Sequence, residues 1–236
     1  VAAERIGALR AILAFVPLLV LTGCGCDRER PAPGPFPPPE SPNFSGGARR
    51  DDAPARPAPH TTPERILAAA RAEVARGTPY EPGYHRIDYP GGDVASGGVC
   101  TDLVVRAFRG AGFDLQKLVH EDMKAHFRAY PQNWGLSGPD SNIDHRRVPN
   151  LMTFFQRAGR WLPIGTGGAA RATWKPGDVV FWDLGRGLRH CGIVSDRKGA
   201  GGLPEAIHNI RGAAEEPCLT RWTIIGHARY PAGSEE

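Results

Sequence analysis

No Cys-x-x-Cys pair occurs among the five cysteines of this 236-residue chain, so the spacing of a structural zinc site is missing. No long run of Lys and Arg occurs either. The formal net charge is +4, and the first 59 residues hold seven basic and six acidic side chains, leaving +3 for the rest. A balance this even excludes nucleic acid as the expected partner, while tolerating an anionic polymer or surface. The apolar run Ala11 to Leu21 is too short to span a bilayer as a permanent helix. The segment Asp140-Ser141-Asn142-Ile143-Asp144 has the alternating acids of a calcium loop. It fails at position six, which is His145 instead of glycine, and at position twelve, which is Leu151 instead of Glu. His120, Glu121, Asp122 and His126 lie along or beside one helical stretch and read as solvated charge rather than ligands. No metal and no cofactor are expected.

Proline and glycine, by contrast, are abundant, and the prolines crowd before residue 63. That division predicts one folded domain over 61–232, with a short tail at 233–236, behind a lead that cannot bury enough apolar surface to fold. Residues 27–60, including Pro35 to Pro39 broken only by Phe36, read as an extended tether. Ahead of it, Arg5 and Arg10, the apolar run and Leu21-Thr22-Gly23-Cys24 describe an export signal. Leu-Thr-Gly-Cys resembles the bacterial lipobox. That resemblance implies removal of residues 1–23 and a lipid on Cys24 that anchors the protein to the membrane at the periplasmic face of the cell envelope. The alternative is an ordinary secretory signal cut nearby, and under both readings the mature protein works outside the cytoplasm.

Within the domain, Thr62-Pro63-Glu64 carries the cap, early proline and early acid of a helix start, with Gly77 as its stop. Residues 77–93 are rich in Pro, Gly and Tyr and predict a structured loop. From Cys100, apolar residues recur at Leu103, Val104, Ala107, Phe108 and Ala111, the period of a helix with one buried face. Two further helices are expected from Leu115 to before Pro131 and over Pro149 to Ala158, joined by a polar loop, Asp140 to Arg147, in which Asp144, His145 and Arg146 face substrate. After Trp174 come short apolar runs separated by turns: Asp178–Trp182, His190–Ser195, Ala206–Ile210 and Thr223–Tyr230. They predict an antiparallel meander, and helices followed by strands indicate an α+β domain.

Cys100 occupies the first turn of its helix, where the free amides and the positive dipole end favour a thiolate. The competing reading is a small core residue. His190 opens a central strand segment and His208 lies on the following one, so one face can present both, the second orienting the imidazole of the first. His227 is a weaker competitor. Asp102 is placed to favour the helix dipole or to pair with Arg106 at i+4. Alternation sets Cys191 on the strand face opposite His190, and Cys191 and Cys218 are placed to pair as a disulfide in an oxidising compartment, leaving Cys100 free.

The order Gly77-Thr78-Pro79-Tyr80, a cysteine at a helix start, Pro-Gly-Asp-Val-Val-Phe-Trp at 176–182, His-x-Gly-Ile-Val at 190–194 and Ile207-His208 resembles the NlpC-type cell-wall cysteine peptidases. More closely, VCTD (99–102), VHEDM (119–123), NIDHRRVPNL (142–151), PGDVV (176–180), HCGIVSD (190–196) and IHNI (207–210) are similar to the bacterial family called domain of unknown function 1287, over nearly all of residues 64–231. The resemblance implies a papain-like α+β fold with the nucleophile helix packed on a C-terminal antiparallel sheet. It implies Cys100 as nucleophile, His190 as base, His208 or Asn209 as the orienting third member, and Tyr80 beside the thiol. It departs from the usual Asp-Cys-Ser-Gly, because here the acid, Asp102, follows the cysteine. The implied activity is hydrolysis of amide bonds in peptidoglycan stem peptides. A non-catalytic module that binds the wall or an envelope partner, and an acyl or peptidyl transferase, are the competing functions.

Overall fold

The computed structural model describes residues 61–233. The expected signal segment, Cys24, the tether and residues 234–236 lie outside the described residues.

Helix α1 (Thr62–Arg76) starts one residue earlier than its sequence signals indicate, because Thr61 and not Thr62 is the cap. The Thr61 hydroxyl accepts from the Glu64 N–H at 3.4 Å, and the Glu64 carboxylate accepts the Thr61 N–H at 3.1 Å. This reciprocal pair satisfies two amides that a bare helix end leaves open. Gly77 closes the helix at φ 65°, a left-handed conformation that suits glycine. Helices α2 (Cys100–Gly110), α3 (Leu115–His126) and α4 (Val148–Ala158) follow. The expected loop after Gly77 holds no helix and is tied back by a bridge between Tyr80 and Gly98.

The strands are β1 (Arg160–Trp161), β2 (Val179–Gly185), β3 (Leu188–Lys198), β4 (Pro204–Asn209), β5 (Ala213–Glu216) and β6 (Thr223–Arg229). They form one antiparallel sheet in the order β1-β6-β2-β3-β4-β5. The expected simple meander therefore holds only from β2 to β5. β6 returns across the sheet to pair with β2, and the connection carries Cys218, Leu219 and Trp222 over the far face. Leu219 is fixed there because its carbonyl accepts the Trp182 indole N–H at 2.9 Å.

Both faces of the sheet are covered, which accounts for the unbroken apolar run Val179-Val180-Phe181-Trp182. Phe181, Cys191, Ile193 and Ile207 face the helices and pack with Leu103, Val104 and Phe108 of α2 and Leu151 and Phe155 of α4. Full burial of each such large side chain contributes about 1.5–3 kcal/mol. Val180, Trp182, Val194 and Ala206 face the other way, against Cys218, Leu219 and Trp222. The proposed Cys191–Cys218 disulfide is thus absent: both thiols are free, because the sheet itself separates them. α1 is pinned to the sheet by Arg71, which donates to Glu215 at 2.7 Å and to the Ser195 hydroxyl at 3.2 Å. It also approaches α2 closely, since a Cβ on Gly110 would lie 2.4 Å from that of Ala69.

Candidate active site

Cys100 is the first helical residue of α2, after an extended Val99, so its own amide is one of the unsatisfied donors of a helix start. Three side chains set the position of that start. The Asp102 carboxylate accepts the Val99 N–H at 2.7 Å. Arg106 donates to the carbonyls of Val94 and Gly97 at 2.8 and 2.7 Å and to Glu73 at 2.7 Å. Asn209, at the end of β4, donates its amide to Gly98 O at 3.0 Å and to Thr78 O and Pro79 O at 3.3 Å.

His190 on β3 and His208 on β4 share the face opposite the helices. The His190 Nε2 and His208 Nδ1 are 2.8 Å apart, and His208 Nε2 lies 2.9 Å from the Glu216 carboxylate on β5. Trp182 stacks under His190 at 5.5 Å between ring centroids, and Trp222 meets both imidazoles edge-on. The proton positions follow from the partners. Glu216 is held below its usual pKa range, first by Arg221 and then by His208, and an ionised carboxylate only accepts. The His208 pKa is lowered by burial and by His190, which favours its neutral form. Its proton therefore sits on Nε2, its Nδ1 accepts, and His190 Nε2 donates to it. Whenever His190 is neutral, this arrangement leaves the lone pair on its Nδ1.

The Cys100 thiol has its pKa lowered well below the ordinary range, by a hydrogen bond from Cys191 first and by the adjacent His190 ring next, against the effect of burial. Burial and the charge on Cys100 push the Cys191 thiol up instead. Of the two thiols, only Cys100 has a helix start and an imidazole beside it, and its anion is the one these neighbours favour.

In front of the sulfur lies a cleft of about 450 Å³ lined by Tyr80, Trp134, Arg146, Leu188 and Arg189. Cys100 itself is 6% exposed, whereas Tyr80 is 42% exposed. Burial first, and the Cys100 charge next, raise the Tyr80 pKa, so its hydroxyl stays a donor. A larger cavity of about 700 Å³ lies between the start of α1 and the turn before β2 and contains no cysteine or histidine.

Five placements differ from the sequence reading. Asp102 pairs with Arg146, at 3.0 and 3.1 Å from Nε, and not with Arg106, whose guanidinium is drawn to Asp93, Glu73 and the loop carbonyls. Burial outweighs Arg146 at this carboxyl and raises its pKa. Asn209 braces the chain ahead of Cys100 and does not touch His190, because alternation points it to the helix side while His208 points away. Asp144 and His145 are buried rather than facing a ligand. Arg146 borders the cleft but spends its remaining donors on Gly83 O at 2.6 Å and Glu81 O at 3.0 Å. His227 is committed to Asp178 at 2.7 Å under Trp174. The helix charges on α3 are partly structural, since Asp122 accepts from Tyr130 at 2.7 Å and from Arg157 at 2.8 Å.

Residues 67–230 match the family model described as "Domain of unknown function (DUF1287)". The chain belongs to this family. It is also 48% identical over 167 residues to the uncharacterized protein YijF of Escherichia coli strain K12, covering 70% of this chain and 80% of that protein.

Glu216, Cys191 as a thiol partner and the Trp182–Trp222 cage are the parts of the site that sequence reasoning missed. A signal for Glu216 existed. Across a hairpin that pairs Ala206 with Glu216 and His208 with Ala214, residues of like parity share a face, so Glu216 falls diagonal to His208. The strand itself, Ala213-Ala214-Glu215-Glu216, has no β-branched or aromatic residue to announce it.

Proposed function

We propose that this protein is an exported, lipid-anchored cysteine hydrolase that cleaves amide bonds in peptidoglycan stem peptides, on a papain-like fold of the NlpC type. The observation that carries the reading is the chain of contacts from Glu216 through His208 to His190, ending beside a helix-start thiol of lowered pKa. In this reading Cys100 gives its proton to Nδ1 of His190, and the imidazolium is oriented by His208, itself fixed by Glu216. The thiolate attacks the carbonyl carbon. The resulting oxyanion is held by the open amide of Cys100, with the Tyr80 hydroxyl bordering the same cleft. Collapse breaks the C–N bond as His190 protonates the departing amine, leaving a thioester. His190 then takes a proton from water as its oxygen attacks the thioester carbon; the C–S bond breaks, the acid leaves and His190 returns the proton to the sulfur. Export and the wall substrate are supported by the N-terminal signal pattern and the family resemblance of the motifs.

The test is mass spectrometry of purified wall peptides after incubation with the full chain. Cleavage by the wild type and its loss in Cys100→Ala, with an unchanged thermal melt, are expected. Undiminished cleavage by Cys100→Ala overturns the assignment. Retention of uncleaved wall fragments by both proteins instead makes this a binding module.

A further inference from the structure

Behind the paired imidazoles, His208, Glu216 and Cys218 each bring one ligand atom to within 4.8 Å of the others. They come from β4, β5 and the turn after β5, where the Cys218 N–H donates to the Glu216 carbonyl at 2.8 Å and folds the thiol back beside the carboxylate. We propose that these three side chains form a site for a zinc-class divalent cation, and that its occupancy silences Cys100 by reversing the direction of the hydrogen bond between His208 and His190. The silencing rests on the reading of Cys100 as a nucleophile; the site does not.

The donor set selects the metal class. An imidazole nitrogen, a carboxylate oxygen and a thiolate sulfur suit borderline zinc, and three protein ligands leave the fourth tetrahedral position to water. Calcium and magnesium demand oxygen donors and are excluded by the same set. His208 and Cys218 are fully buried, so their ligand atoms are already free of water, while the Glu216 side chain is 32% exposed and opens the site to solvent. On binding, Cys218 releases its proton to solvent. Thiolate and carboxylate then present two negative charges, of which Arg221, bonded to both Glu216 oxygens, offsets one.

The consequence follows from which nitrogen is free. Nδ1 of His208 faces His190, so the cation takes Nε2 in place of the contact with Glu216. The ring proton of His208 then resides on Nδ1 and donates to Nε2 of His190. His190 in turn carries its own proton on Nδ1, toward the sulfur. The lone pair that accepts the Cys100 proton is gone, so His190 no longer serves as the base for the thiol. No bond is made or broken beyond these proton relocations and the metal–ligand bonds.

Titration of the reduced full chain with Co²⁺, which reports thiolate ligation by a charge-transfer absorption band, tests the site. The expected result is one Co²⁺ per chain with that band, displaced by Zn²⁺, unchanged in Cys100→Ala and lost in Cys218→Ser. Glu216→Gln weakens binding and serves in place of Cys218→Ser if the latter fails to fold by thermal melt. Saturating Zn²⁺ slows iodoacetamide labelling of Cys100 about tenfold to a hundredfold in the wild type and leaves Cys218→Ser unaffected. Absence of the band, its survival in Cys218→Ser, or its loss in Cys100→Ala, which would put the metal on the Cys100–Cys191 pair, overturns the site. Labelling unaffected by Zn²⁺ overturns the silencing. Because Cys100→Ala has no nucleophile, the binding result is independent of whether the protein hydrolyses anything.

Discussion

Acid should weaken this domain through His145 in particular, in a pH window set by its surroundings. The side chain is 3% exposed and its Nδ1 has no partner among the described residues. Burial first, then Arg146 and Arg109, lower its pKa from 6.5 to about 4, while Asp114 and Asp93 pull weakly the other way. Between those values the unfolded chain binds a proton that the folded chain refuses, so stability rises with pH across the window. It is fully present above the unfolded value and lost as pH falls toward 4. At about 1.4 kcal/mol per unit the ceiling is about 3 kcal/mol, and the part reached between pH 7 and 5 is about 2 kcal/mol. Against a total of roughly 5–15 kcal/mol for a natural domain, that is a large share. Urea unfolding at pH 7, 6 and 5 of the wild type and of His145→Gln isolates it. Only the difference in pH slope matters, so any packing loss in the variant drops out, as do the contributions of His208, Asp122 and Glu216. Parallel pH profiles for the two proteins would refute the reasoning.

Asp102→Asn leaves the Arg146 guanidinium, 1% exposed, without its counter-charge, and should cost about 3–5 kcal/mol. In a domain of this size that lowers the melting temperature by roughly 6–20 °C in calorimetry, and Arg146→Met added to it should recover part of the loss. Gly110→Ala gains helix propensity of up to about 1 kcal/mol yet meets Ala69, so urea titration should find it net destabilised by about 1–3 kcal/mol of overpacking; a stabilised variant would show that α1 shifts freely. Under the proposed reaction, Glu216→Gln removes the ionised acceptor behind His208 and should lower kcat on wall peptides by up to about a hundredfold with little change in KM, read by steady-state kinetics.

Helices were the most legible part of this chain because their signals are local: the 3.6-residue recurrence from Cys100 to Ala111 and the stop at Gly77 need no partner to be read. Strands with apolar side chains, such as Val179–Trp182, were equally plain. The return of β6 to β2 was not, since pairing across forty residues leaves no local mark, and β5 escaped notice for want of β-forming side chains. At the site, parity along β3 and β4 put His190 and His208 on one face and Cys191 on the other. The choice between His208 and Asn209 needed only the same parity carried one residue further. What parity could not supply was contact between Cys100 and Cys191, or the partner of Asp102, because Arg146 reaches it from a loop whose path is fixed by tertiary packing.

One strand end has a mechanical consequence. His208 and Asn209 are successive residues of β4, the first touching the imidazole of His190 and the second clamping three carbonyls that precede Cys100 in the chain. Any sliding or tilting of that strand carries both handles together. The spacing of sulfur and ring is thereby insulated from strain elsewhere in the sheet, much as two jaws cut from one bar keep their gap when the bar is moved.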